Sequence, residues 1–186
     1  GQEFLGGVVS YCATGDGPLY RNAELIVVGG GNAAIQEALY LTKFARRVTV
    51  IHRRDKLRAQ PVLQERAFKN EKIRFIWDSV VSNIFGAEQV EGVEIRNVKS
   101  GEKISLPAEG VFIFIGWVPN TEFVRGLVNL DDDGHIITDA EMHTNVPGII
   151  AVGDVRSKPF RQIANAVGDG AVGALSASKY LEGLHN

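Results

Sequence analysis

Val27-Val28-Gly29-Gly30-Gly31-Asn32-Ala33-Ala34 is the stretch that decides the fold of this chain. It follows a short apolar run, Leu25 to Val28, and it opens a helical pattern. Gly29, Gly31 and Ala34 fit the spacing G-x-G-x-x-G/A of a dinucleotide fingerprint. Gly29 allows a tight strand-to-helix turn. Gly31 has no side chain, so a pyrophosphate can approach its backbone. Ala34 is small enough for the helix to pack on the strand. The free N–H groups at the helix start then face the anion, and the helix dipole favours it. Taken alone, the stretch also fits an ordinary glycine-rich turn. Its surroundings separate the two readings.

The residues on either side build a βαβ unit. Glu24 to Val28 reads as a strand. Asn32 to Ala45 reads as a helix, with Ala34, Ile35, Ala38, Leu39, Leu41 and Thr42 at helical spacing and Gln36, Glu37 and Lys43 off the stripe. Arg47 to Ile51 is a second strand, dense in β-branched residues. At its C-terminal end stands His52-Arg53-Arg54-Asp55-Lys56-Leu57-Arg58. Arg53 lies about 20 residues past the glycines, where an NAD-preferring fold carries the acid that binds the ribose 2′-OH. A guanidinium there pairs instead with a 2′-phosphate, in a two-pronged, charge-assisted way. The alternative is a solvated basic surface turn, but the spacing favours NADPH.

Composition narrows the function classes. The 186 residues can hold one large domain, or one domain and part of another. A net charge of −2 gives no basic footprint for nucleic acid and no polybasic membrane patch. No apolar run approaches the ~20 residues of a membrane helix; the longest, Val111 to Val118, is strand-sized. The single cysteine, Cys12, excludes an internal disulfide framework and fits a reducing, cytoplasmic location. None of the four histidines is paired with Cys or acids at ligand spacing, so no metal site is expected. Gly1 to Ser10 shows no signal peptide, and with no initiator Met the chain is read as a cut or processed piece.

The rest follows in order. Gly6 to Pro18 reads as a short strand and then a loop. Gln60 to Phe68 reads as a helix started by Pro61. Ile73 to Trp77, Val80 to Phe85, Val90 to Val98 and Lys103 to Leu106 read as strands, with a hairpin turn at Ser100-Gly101. A meander after a βαβ unit predicts a small antiparallel layer lying on a parallel sheet. Gly110 to Ile115 is a buried strand ending in Gly116, and a domain boundary falls near there. Beyond it, Asp131-Asp132-Asp133-Gly134-His135 reads as a solvated acidic turn, since a calcium loop needs more ligands at set spacing. Ile136 to Thr138 and the run after Pro147-Gly148 read as strands, the second ending in Gly153-Asp154. Arg161 to Leu181 reads as a long helix rich in small residues, most of which tight helix–sheet packing would explain.

These segments resemble, in family order, the low-molecular-weight thioredoxin reductases, FAD-dependent flavoproteins of the pyridine nucleotide–disulfide oxidoreductase class. The matching stretches are Gly7 to Gly17, Val28 to Ala38, His52 to Arg58, Ile115 to Thr121, Thr144 to Val155 and Arg161 to Ala174. The resemblance implies an NADPH site at Gly29, Gly30, Gly31, Asn32, Ala33, Ala34, His52, Arg53, Arg54 and Arg58. It adds Ile115 and Gly116 to the cofactor contacts. It implies that Gly153, Asp154 and Val155 form the second flavin motif, with Asp154 at the ribityl-phosphate part of FAD. Arg161, Gln162 and Ile163 are then the segment at the flavin ring. Cys12 and Asp16 take the places of a redox cysteine and the acid that protonates the dithiol. The implied fold class is α/β: a Rossmann-like three-layer (ββα) nucleotide-binding domain plus the C-terminal half of a second, FAD-type domain. The implied division is a linker and redox-loop segment at 1–18, an NADPH-binding domain at 19–116 and the FAD-type half at 117–186. The implied partner is thioredoxin or another redox protein acceptor, with a homodimer in the full-length form.

Two departures limit that expectation. The family's redox loop reads Cys-Ala-Thr-Cys-Asp, whereas this chain reads Cys12-Ala13-Thr14-Gly15-Asp16. A lone Cys12 cannot close an internal disulfide; it is either a buried leftover thiol or one that forms a mixed disulfide with a partner. The family's other glycine fingerprint, for the ADP half of FAD, precedes the redox loop and is absent from this sequence. The chain is therefore expected to begin about a third of the way into the family. Three functions remain open: a thioredoxin reductase-like oxidoreductase, an NADP(H)-binding module without catalysis, and a ferredoxin–NADP reductase-like enzyme lacking the dithiol.

Overall fold

The structure, a computed structural model, describes residues 9–184. The start of the first predicted strand, Gly6 to Val8, lies outside the described residues, and Gly7 of the first matching segment with it. The chain divides into two compact units, Gly1–Gly116 and Trp117–Asn186.

The first unit is a three-layer sandwich. Strands β1 (Val9–Ser10), β2 (Glu24–Val28), β3 (Arg47–Ile51), β4 (Ile73–Ile76) and β8 (Gly110–Ile113) form one sheet in the order β1-β8-β2-β3-β4. Every pairing in it is parallel. Strand alternation sorts the apolar residues onto two faces. Leu25, Val27, Val48, Val50, Phe112 and Phe114 pack on one side with α2 (Asn32–Leu41) and α3 (Pro61–Phe68). Ile26, Ile51 and Val111 pack on the other with Val90, Val93, Ile95 and Ala108. That second core lies under the antiparallel sheet of β5 (Ser79–Phe85), β6 (Gly92–Asn97) and β7 (Lys103–Pro107). A parallel sheet covered on both faces needs near-continuous apolar strands, and Leu25 to Val28 supplies one.

Three local readings change. The helix begun at Asn32 ends at Leu41, four residues short of the predicted Ala45, because Thr42 to Phe44 tighten into turns. Lys72 Nζ then covers the freed carbonyls of Thr42 and Ala45 at 2.9 and 3.0 Å. The loop expected at Cys12 is a helical turn, α1 (Ala13–Asp16), followed by a 3-10 turn at Gly17–Leu19. Glu37, read as off the helical stripe, is half-buried with Oε2 lacking a partner, and burial raises its pKa.

The second unit has one long element, α4 (Ile163–Gly183). The strands predicted at Ile136 to Thr138 and before Gly153 reduce to isolated bridges: Leu130↔Ile136, Ile136↔Arg156 and His143↔Ile150. A strand needs a ladder partner along its length, and the described residues of this unit offer single pairings only. Its core is small: Val128, Ile136 and Ala151, flanked by Val124, Leu130, Val146, Ile149 and Val155. Tight packing explains Gly173 of α4, where a Cβ would meet Val152 Cγ1 at 2.5 Å, but not Gly168 or Gly170, which face open space.

The acidic turn is more than solvated. Asp131 Oδ1 accepts from the N–H groups of Asp133 and His135 at 3.0 and 2.8 Å. A hydrogen bond from Ser157, then those backbone donors and the His135 imidazole, lowers its pKa from 3.8 to about 2. The native turn thus prefers the ionised form. Its contribution to stability is complete above the unfolded value and is lost as pH falls through the folded one. Asp131→Asn is expected to lower stability at pH 7 and to flatten the pH dependence between about pH 4 and 2. Denaturant melts of both proteins across that range check this, and parallel pH profiles would contradict it.

Candidate nucleotide-binding site

The C-terminal ends of β2, β3 and β8 converge on a cavity of about 570 Å³. Its wall includes Val28, Gly29, Gly30, Ile51, His52, Arg53, Arg58 and Ile113 to Ile115, closed by residues 79–84 of β5. In open α/β sheets, ligands bind outside the carboxyl ends of the strands.

Three glycines divide the work at the fingerprint. Gly29 has φ +143, and a Cβ there would lie 2.3 Å from the Phe114 carbonyl oxygen and 2.8 Å from Ala34 Cβ. The turn closes only because neither position carries bulk. Gly30 lies against the His52 ring, whose atoms would be 2.5 Å from an added Cβ. At Gly31 a Cβ would meet nothing within 4 Å. Its backbone is the open one, as a phosphate cradle requires. Gly31 caps α2 without a side-chain bond. Asn32 is exposed but engaged: its Oδ1 accepts from Gln60 N at 2.7 Å. Ala33 is exposed and Ala34 fully buried.

The basic loop folds back on the same turn. The Gly30 carbonyl accepts from Arg58 N at 2.7 Å and Ala59 N at 3.2 Å. Arg53, Arg54 and Arg58 are exposed, and among the described residues their guanidiniums make no ion pair or hydrogen bond. Arg53 and Arg58 line the cavity; Arg54 does not, though its charge acts on His52, which does. His52 is buried, with Nε2 lacking a partner. Burial lowers its pKa, the Arg58, Arg54 and Arg53 charges push the same way, and a hydrogen bond to the Lys56 backbone opposes them. The imidazole is therefore neutral at pH 7.

Comparison with known proteins shows the family. Residues 1–170 match the family described as pyridine nucleotide-disulphide oxidoreductase. The chain belongs to that family. It is 51% identical to the thioredoxin reductase of Listeria monocytogenes over 98% of this chain and 58% of that protein. It is 47% identical to the thioredoxin reductase of Peptoclostridium acidaminophilum over 97% of this chain and 59% of that one. The crystal structure of thioredoxin reductase from Streptococcus pyogenes superposes with a TM-score of 0.88 at 53% identity, covering 94% of this chain and 57% of that one. The chain thus spans about 58% of the length of such relatives.

Of the other first-unit residues singled out by the family resemblance, Ile115 is part of the cavity wall and Cys12 and Asp16 are not. Cys12 is half-buried and caps α1: its Sγ accepts from Gly15 N at 3.4 Å. Asp16 Oδ2 accepts from Ser10 Oγ at 2.6 Å, so the acid is fixed beside the thiol's turn. A Cβ at Gly15 would meet only Cys12 Sγ, at 3.5 Å. Gly15→Cys is therefore expected to close a disulfide with Cys12 on mild oxidation. Thiol titration reads the result, and two free thiols persisting in the oxidised variant would contradict it.

The second unit carries Gly153, Asp154 and Val155 on a 3-10 turn, with Gly153 at φ +77. The Asp154 carboxylate is exposed, within 3.7 Å of Lys158 Nζ. Arg161 is not free for a ligand: its guanidinium donates to the carbonyls of Asp154 and Arg156, at 3.2 and 3.3 Å. Gln162 precedes α4, and Ile163 opens it with its side chain 86% exposed. Ile115 is also exposed, and Gly116 has φ +110. Sequence reasoning missed the β5 wall, whose residues carry no motif, and the Phe114 carbonyl that makes Gly29 obligatory.

Proposed function

We propose that this chain holds an NADPH-binding domain, residues 19–116, and the C-terminal half of an FAD-binding domain, residues 117–186, of a thioredoxin reductase-like flavoprotein oxidoreductase. The observation that carries the reading is the set of three unengaged guanidiniums beside a backbone left open at Gly31. Those residues fit NADPH. Arg53, Arg54 and Arg58 would hold the 2′-phosphate, and the Gly29 to Ala34 turn the pyrophosphate. In the second unit the exposed Asp154 and the start of α4 offer a carboxylate and a helix N-terminus, a donor and acceptor set that fits FAD. When bound, the two cofactors supply hydride transfer from nicotinamide to flavin and electron transfer onward to a disulfide or protein acceptor.

Thioredoxin or a similar redox protein is the acceptor in this reading, in the cytoplasm, with a homodimer as the full-length form. Gly15 favours a second reading, because the loop has one thiol where dithiol exchange needs two. That reading is a ferredoxin–NADP reductase-like enzyme whose flavin electrons leave without an internal dithiol. A bare NADP(H)-binding module is the limiting case. Calorimetric titration with NADPH and with NADH tests the common core: a clear preference for NADPH supports it, and equal or absent binding overturns it. A flavin spectrum after addition of FAD separates the enzyme readings from the bare module.

A further inference from the structure

One charged cluster of the second unit is not explained by cofactor contact. Asp169, in the second turn of α4, is nearly buried, its side chain 13% exposed. Its Oδ1 pairs with Arg156 at 2.9 Å and its Oδ2 with Lys158 at 3.0 Å, and both cations are as buried as the acid. The same Oδ2 accepts the backbone N–H of Gly153 at 3.1 Å. One helix carboxylate therefore holds the first residue of the Gly153–Val155 turn and two residues just beyond it. Arg161 and the Ile136 N–H also bond carbonyls of this segment, at Asp154, Arg156 and Val155, but Asp169 is the side chain of α4 that bonds the Gly153 N–H. The bonds to Arg156, Lys158 and Gly153 outweigh burial and keep the acid ionised at neutral pH. Burying three charged groups is unfavourable unless each is paired and hydrogen-bonded, and removing the central acid leaves Arg156 without its carboxylate and Lys158 with only the longer contact to Asp154.

We propose that Asp169 is a positioning residue: it clamps the Gly153–Val155 turn to α4 and so sets where the Asp154 carboxylate stands. Lys158 links the two acids, 3.0 Å from Asp169 and 3.7 Å from Asp154. Asp154 is left pointing to solvent while the backbone on both sides of it is pinned. The inference rests on the reading of Asp154 as a flavin ligand.

The test is a double-mutant cycle on FAD binding, followed by flavin fluorescence in the whole chain, with Asp154→Asn, Asp169→Asn and both together. Asp169→Asn is expected to weaken FAD about tenfold, as loss of a charge-assisted hydrogen-bond set does. Exchange of the Gly153 amide is expected to speed up about tenfold in Asp169→Asn and to stay unchanged in Asp154→Asn. The double variant is expected to bind FAD no more weakly than the weaker single one, because Asp169 acts through Asp154. Additive losses, or an unaltered Gly153 amide in Asp169→Asn, would overturn the positioning role alone. Absence of FAD binding by the unsubstituted chain would overturn the flavin reading, and the positioning role with it. NADPH titration of each variant reports whether the first unit remains folded.

Discussion

Arg53→Ala combined with Arg54→Ala is expected to lower NADPH affinity about 100-fold and to leave NADH affinity within about twofold. Both guanidiniums are exposed and unengaged, so neither holds the fold and neither needs to be released before it meets a phosphate. Each charge-assisted bond to a phosphate is worth about 1.5–3 kcal/mol, and solvent screening of exposed groups places these at the lower end. Two such losses together come to about 3 kcal/mol, or two decades. NADH has a hydroxyl where NADPH has the 2′-phosphate, so it loses almost nothing. Raising the salt concentration is expected to narrow the gap, because the interaction is between exposed charges. Isothermal titration of the double variant with each nucleotide gives the result directly. Unchanged NADPH affinity would remove the arginines from the site.

Gly29→Ala and Gly31→Ala are expected to fail in opposite ways. At position 29 the new Cβ falls 2.3 Å from the Phe114 carbonyl oxygen on a backbone at φ +143. Neither neighbour can yield, because Phe114 N bonds Val28 O at 2.8 Å and Ala34 is fully buried. Strain and overpacking together cost on the order of 3 kcal/mol or more, a large fraction of a domain's stability. The variant is expected to melt well below the parent, with little folded protein left to bind anything. At position 31 the new methyl meets open space. Stability should therefore stay within about 1 kcal/mol, while NADPH binding weakens about tenfold or more as the methyl occupies the approach to the backbone. Thermal melts and titrations on the two variants separate the effects. Equal melting temperatures would show that the turn has slack the geometry denies.

Much of the first unit was legible because its signals are local. A strand of continuous apolar residues, a glycine turn and a helix stripe follow one another within Glu24 to Leu41, and Arg47 to Ile51 matches its predicted strand end for end. The arginine loop could be placed by counting, since the βαβ unit has a nearly fixed length. The second unit was less legible because isolated bridges leave no periodic trace. Ile136 sits in two isolated bridges, to Leu130 and to Arg156, while its neighbour Ile137 is exposed, so a β-branched run predicts a strand for which the described residues of the unit form no ladder. Asp131 was invisible for a related reason. Its two backbone donors come from the turn's own conformation, which an acidic run does not announce. The Asp169 clamp needed three dimensions, since it joins residues 153 and 169 through a side chain and a backbone N–H.

The Gly30 carbonyl, shared between Arg58 N and Ala59 N, has a consequence for redesign. The loop proposed to select the nucleotide and the turn proposed to cradle it are one hydrogen-bonded piece, with the His52 ring against Gly30. Grafting an acidic 53–58 segment would transplant the selectivity only if the donor loop returned the position-58 N–H to that carbonyl, kept the Ala59 N–H in place and left Gly30 its space. A graft chosen on charge alone would loosen the cradle it was meant to retune. On the proposed reading, coenzyme preference and cradle rigidity are inherited together.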